Sequence, residues 1–153
     1  ENCIAGHCLD KAKKTIKQGL SLGINSYLTA LLGDIEHIRG NVDGAIALWD
    51  KAVTEEPERT DTIEYVAEKY ASLGMYDKSI YLWDAAYKQN PRILSPLYSL
   101  AFLYNDLGRY ADAIKQWEEI ILRLKEDWNH EENSDGLQWA RDTIRQLKEK
   151  MAI

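Results

Sequence analysis

Residues 39–52 read Arg39-Gly40-Asn41-Val42-Asp43-Gly44-Ala45-Ile46-Ala47-Leu48-Trp49-Asp50-Lys51-Ala52. The stretch returns as Leu73-Gly74-Met75-Tyr76-Asp77-Lys78-Ser79-Ile80-Tyr81-Leu82-Trp83-Asp84-Ala85-Ala86, and again as Leu107-Gly108-Arg109-Tyr110-Ala111-Asp112-Ala113-Ile114-Lys115-Gln116-Trp117-Glu118-Glu119-Ile120. Trp49, Trp83 and Trp117 are 34 residues apart, and so are Gly40, Gly74 and Gly108; the same step joins Ala52 to Ala86 and Pro57 to Pro91. Several residue types keeping one period mark a repeat architecture, in which a unit cannot bury its apolar face alone and must stack on its neighbour.

Each unit contains two helical patterns. Ile63, Val66, Ala67 and Tyr70 recur at helical spacing before Gly74, and Ile80, Trp83, Ala86 and Tyr87 do so after it. Glycine between them can take the left-handed conformation that ends a helix. Asp43, Asp77 and Asp112 fall in or just before the first turn of the second helix, where a negative charge meets exposed amides. Pro57 and Pro91 stop that helix, because proline lacks the amide hydrogen and crowds the preceding turn. Asp61 with Glu64 three residues later, and Ser95 before Pro96, are start signals for the next first helix. Ala45, Ala52, Ala86 and Ala113 allow close helix approach, and each Trp is expected to fill the space between pairs instead of forming an exposed stripe.

The pattern resembles the tetratricopeptide repeat family. Leu32, Gly33, Gly40, Ala45, Trp49, Ala52 and Pro57 carry the resemblance in the first repeat. Tyr70, Gly74, Tyr76, Trp83, Ala86 and Pro91 carry it in the second, and Leu100, Tyr104, Gly108, Tyr110, Ala113 and Trp117 in the third. Departures are Glu36 for an aromatic, Ser79 for an alanine, Ala67 and Ala101 where Gly33 stands, and Ile120 and Lys125 for the last alanine and proline, so the third repeat's second helix is expected to run longer. The implied fold is all-α: a right-handed α-solenoid of stacked antiparallel helix pairs, with a half-repeat over 1–25, repeats over 26–59, 60–93 and 94–127, and a loop and capping helix over 128–153. The half-a-tetratricopeptide and pentatricopeptide families, which serve RNA processing or binding, match less well and call for the opposite groove charge.

At the ends, Leu9, Ala12, Ile16 and Leu20 are expected to point inward from residues 8–20, with Lys11, Lys13, Lys14 and Lys17 outward. After a polar loop from Lys125 to Ser134, Asp135 is expected to cap a last helix with Leu137, Ala140, Ile144, Leu147 and Met151 on one face and Arg141, Arg145, Lys148 and Lys150 on the other.

The resemblance implies that first helices line a concave side that receives extended peptides or partner helices. One helical stripe gives Tyr27, Ala30, Asp34 and His37; the 34-residue step carries it to Asp61, Glu64, Glu68 and Ala71, then to Ser95, Tyr98, Phe102 and Asn105. The groove is therefore expected to be acidic in the middle and aromatic at its far end. Its ligand is expected to be a protein or peptide, basic or mixed basic and apolar, with Asn105 hydrogen-bonding the ligand backbone. Relatives that grip the C-terminal carboxylates of heat-shock chaperones use Lys, Arg and Asn on this stripe, whereas Asp34, Glu64 and Glu68 would repel such a tail. Two other readings follow: an accessory domain of a larger enzyme such as a transferase, recruiting substrate or mediating assembly, and a module for self-association into a homo-oligomer.

Composition narrows the classes. With 153 residues, 45% hydrophobic, and 19 Lys and Arg against 25 Asp and Glu, the chain is long enough to bury a core and is neither a disordered nor a membrane-spanning composition. A net charge of -6 disfavours nucleic acid as a partner. The charge is uneven: residues 26–59 hold seven acids against three bases, and residues 1–25 two acids against four bases. Cys3 and Cys8, both near the start, form no disulfide framework, which points to a reducing, cytoplasmic setting. Cys3, His7 and Cys8 have no second ligand pair at zinc-site spacing, so neither metal nor cofactor is expected. The chain begins with Glu1 and shows no signal segment, and its half-repeat suggests excision from something larger. His7, His37 and His130 belong to no catalytic or phosphate motif, and His37 one turn from Asp34 reads as a surface ion pair, so no enzyme is expected.

Overall fold

The computed structural model describes residues 2–23, 25–127 and 134–152, with side chains over 6–23, 25–126 and 135–152. Among these are eight helices and no strand: α1 (Asn2–Leu20), α2 (Ser26–Ile38), α3 (Val42–Glu55), α4 (Thr60–Ser72), α5 (Tyr76–Gln89), α6 (Ser95–Asp106), α7 (Tyr110–Asp127) and α8 (Ser134–Met151). The chain forms two compact bodies, Glu1–Val66 and Ala67–Ile153, with the division inside α4. The side chains of Cys3 and His130 lie outside the described residues, as does most of the loop before α8.

The turn that makes each hairpin recurs with the sequence period. Gly40, Gly74 and Gly108 have φ of 84°, 74° and 70°, a conformation that a Cβ disfavours. The amides of Asn41, Met75 and Arg109, one residue later, donate to the carbonyls of Glu36, Tyr70 and Tyr104 at 2.9, 2.9 and 2.8 Å. Carbonyls at the end of the first helix are thereby satisfied before the chain turns. Asp43, Asp77 and Asp112 lie in the first turns of α3, α5 and α7 as expected. Ahead of Pro57 and Pro91, α3 and α5 stop at 14 residues, while α7, with no proline, runs to 18.

In the first body α1 packs on α2 and α2 on α3. Ala30, Ile35, Ala45, Trp49, Ala52, Ile63 and Val66 are buried. The Trp49 indole N–H donates to the Ala30 carbonyl at 3.2 Å and to Asp34 Oδ1 at 3.1 Å. Gly33 makes this seat, since a Cβ there would stand 2.5 Å from Trp49 Nε1. A polar joint ties the ends of three helices. Asn25 caps α2 by accepting from the Leu28 amide, the Ser26 amide donates to Glu56 Oε2 at 2.7 Å, and the buried hydroxyls of Ser26 and Thr62 meet at 3.0 Å. Thr29 Oγ1 donates to Glu55 Oε2 at 2.6 Å. The Ser26 amide, then its hydroxyl and Arg59, hold the Glu56 carboxyl below the usual carboxylate range.

In the second body α5 packs on α6, α6 on α7 and α7 on α8. Trp83, Ala86, Leu97, Leu100, Ala101, Ala113, Trp117, Ile120, Ala140 and Leu147 are buried. All three repeat tryptophans are thus core residues, as expected. Tyr87 OH donates to Glu119 Oε1 at 2.7 Å and accepts from Arg123 Nε at 2.9 Å, which joins α5 to α7.

Several end-segment expectations need correction. Ala12 is exposed and Lys13 half-buried, because α2 offers Glu36, whose Oε1 lies 2.5 Å from Lys13 Nζ. Arg39 closes the same contact by pairing with Asp10. Asp135 lies inside the first turn of α8 and not ahead of it, whereas Asp61 and Ser95 stand at the starts of α4 and α6 as read from the sequence. Asp61 accepts from the adjacent Thr62 amide, and the capping position of α6 is Leu94, with no side-chain cap. Met151 is exposed, and Lys150 reaches back to α6 instead of facing away from it.

Candidate functional site

Each first helix turns one side to the core, and the stripe read from the sequence lies only partly outside it. In the first body Tyr27 is half-buried and its ring lies 5.1 Å from that of Tyr65 at 59°. Tyr65 OH donates to Asp34 Oδ2, and Trp49 occupies Asp34 Oδ1, so this half-buried carboxylate is engaged through both oxygens by the fold. His37 packs edge-on against the Trp49 ring at 5.8 Å and 62°, an aromatic contact in place of the expected ion pair with Asp34. Ala30, expected to line the groove, is fully buried beneath Trp49. On α4, Asp61 is exposed and pairs with Arg59 at 3.0 Å, and Glu64 is half-buried.

In the second body Glu68 is exposed on α4. Tyr98 and Phe102, one turn apart on α6, meet α7 and α8 in an aromatic cluster. Both rings lie 5.6 Å from Trp117, at 72° and 86°, and both lie 6.3 Å from Trp139, which itself meets Trp117 edge-on at 4.8 Å. Burial pushes the Tyr98 phenol up from its ordinary pKa, so it stays protonated at neutral pH. Phe102 and Trp139 each remain 48% exposed. Beside them Phe102, Trp117 and Leu147 help to line a recess of ≈ 150 Å³, rimmed by Asn105, Thr143, Gln146 and Lys150. Lys150 Nζ lies 3.5 Å from Asn105 Oδ1 and 5.5 Å from the Tyr110 ring centroid.

The sequence reading did not single out Trp139, because α8 lies outside the three 34-residue repeats. The available signal was its spacing: Trp139, Thr143, Gln146 and Lys150 fall at i, i+4, i+7 and i+11, one helical face.

The arrangement suits binding: aromatic surface, carboxylates and amides on helices. Among the described residues no cluster of three or more His, Cys, Asp or Glu is placed to hold a metal ion, and no helix is long and apolar enough to cross a membrane.

No family model matches the chain. A segment of 67 residues, 44% of the chain, is 33% identical to the BBSome complex member BBS4 of Bos taurus, of whose length it spans 13%. Among solved structures, the chain is similar to the TPR2B domain of yeast Sti1, solved as a complex with pHsp70, with a TM-score of 0.58 and 14% identity over 82% of this chain and 97% of that one. It is similar to MamA with a TM-score of 0.59 and 17% identity over 97% and 93% of the two chains. Both are tetratricopeptide-repeat proteins, and the likeness shows the fold of this chain to be an α-solenoid of that type.

Proposed function

Starting from a fold of the tetratricopeptide type, we propose that the chain is a non-enzymatic protein-interaction module whose first helices hold a peptide or partner helix. The site residues are Tyr27, Asp34, His37, Asp61 and Glu64 in the first body and Glu68, Tyr98, Phe102 and Asn105 in the second. Phe102 carries the reading. It is the chain's one phenylalanine, and it stands 48% exposed on a helix whose Leu97, Leu100 and Tyr104 are buried. Large apolar side chains left in water beside other aromatics mark interaction surfaces.

The carboxylates of α4 give the partner its charge. Asp61, Glu64 and Glu68 follow one another at helical spacing, and Asp61 and Glu68 are exposed, so a basic or mixed basic and apolar segment is favoured. The tie of Asp34 to Trp49 and Tyr65 makes it a support of the surface and a weaker source of attraction. Sti1 TPR2B was solved with pHsp70, but the acidic stripe here favours a ligand of different charge from an acidic tail. Titrating a basic peptide library against the intact protein and its Glu64→Lys/Glu68→Lys double variant tests the assignment. Affinity is expected to fall about tenfold or more in the variant; unchanged affinity would remove α4 from the site.

A further inference from the structure

The recess at α6, α7 and α8 has a size, a floor and a charge that together specify an occupant. Its floor is apolar, formed by Trp117 and Leu147, both almost wholly buried, and Phe102 supplies one wall. Its volume of ≈ 150 Å³ matches that of a cavity able to hold roughly one benzene ring. That is room for one aromatic or branched aliphatic side chain, and too little for a helix or a folded edge.

The rim is cationic. Lys150 Nζ has an amide oxygen at 3.5 Å and a tyrosine face at 5.5 Å, and among the described residues no carboxylate pairs with it. Asn105 donates its amide hydrogen to Asp106 Oδ1 at 3.3 Å, which leaves its carbonyl oxygen toward Lys150. A 3.5 Å contact to a neutral oxygen is a weak partner for an ammonium group, and a carboxylate is a better one.

We infer that this recess takes the apolar anchor side chain of a bound peptide, and that an Asp or Glu next to that anchor pairs with Lys150. The inference rests on the interaction reading above and adds a subsite of opposite charge preference to the α4 stripe. An anchor in the recess covers Phe102 and Trp117, while the rim contact sets which residue must lie beside it.

The test uses short peptides, N-acetylated and C-amidated so that no terminal charge contributes, with a Gly-Ser background. One carries Phe flanked by Glu, a second Phe flanked by Gln, a third Phe flanked by Lys, and a fourth Ala flanked by Glu. Binding is followed by shifts of the Trp117 and Trp139 indole N–H signals, assigned with single Trp→Phe variants. For the natural protein the Phe and Glu peptide is expected to bind roughly three- to tenfold more tightly than the Phe and Lys peptide, and the Ala peptide to produce no shift. Lys150→Glu, an exposed substitution, should reverse the order of the two charged peptides. An unchanged order in Lys150→Glu, or no indole shift with any peptide, overturns the inference. The Glu64→Lys/Glu68→Lys protein, titrated in parallel, keeps the outcomes apart: loss of basic-library binding there supports the α4 reading whatever Lys150 does.

Discussion

At the residue scale, two positions in the repeat show what happens when a unit departs from its neighbours. Ala45, Ser79 and Ala113 are structurally equivalent, each buried near the start of a second helix, but Ser79 adds a hydroxyl. Its Oγ is enclosed and has no hydrogen-bond partner. Burying an unsatisfied hydroxyl costs about 1–3 kcal/mol, and serine is also the poorer helix former. Ser79→Ala is therefore expected to stabilise the protein by about 1 kcal/mol in a denaturant titration; a lower midpoint would mean that the hydroxyl is satisfied in solution. Gly33 is the opposite case. Replacing a mid-helix glycine by alanine ordinarily gains about 1 kcal/mol, but a Cβ here meets two atoms of the Trp49 ring at 2.5 and 2.6 Å. The ring is fully buried and its N–H is held by Ala30 and Asp34, so it has nowhere to move. Overpacking of about 1–3 kcal/mol then outweighs the propensity gain, and Gly33→Ala is expected to lower the unfolding midpoint.

At the element scale, the helices and their ends were largely legible. Turn glycines, early aspartates and terminating prolines act on their own neighbours in the chain, so their effect is written locally. The polar joint among α2, α3 and α4 was not legible, because Ser26, Glu56 and Thr62 are brought together only by packing. Glu56 reads as an ordinary surface acid, and in the structure it accepts from the first amide of α2. Its pKa is lowered from 4.5, so its contribution to stability is fully present above that value and is lost as the pH falls through the lower, folded value. Glu56→Gln should therefore be less stable than the natural protein at neutral pH, and the difference should shrink on acidification to about pH 3. A constant gap across that range would show that the Ser26 contact does not depend on the carboxylate charge.

The candidate site was legible in part, for the same reason. Tyr98, Phe102, Asp61 and Glu68 could be placed on an outer face by periodicity, and each retains exposure. Ala30 could not, since the indole above it comes from α3, and Asp34, expected to line the groove and pair with His37, is engaged by Trp49 and by Tyr65, 31 residues away in the chain. Trp139 escaped because its helix keeps no repeat register.

At the scale of the whole molecule, the net charge of -6 hides an uneven distribution that bears on binding. Residues 1–66 carry eleven acids against seven bases, and residues 67–153 fourteen against twelve. Many of the charges are already paired: Glu36 with Lys13, Glu56 and Asp61 with Arg59, Glu119 with Arg123, Asp112 with Arg109. Exposed Glu68 is therefore a stronger source of long-range attraction than its share of the total suggests. Screening separates that attraction from apolar contact: between about 0.1 and 1 M salt the Debye length falls from roughly 10 to 3 Å, while burial of an aromatic side chain is little affected. The dissociation constant of a basic peptide should rise with salt in the natural protein and much less in Glu64→Lys/Glu68→Lys. If the two salt curves run parallel, the carboxylates of α4 do not attract the ligand, and its affinity must come from the aromatic surface of α6 and α8.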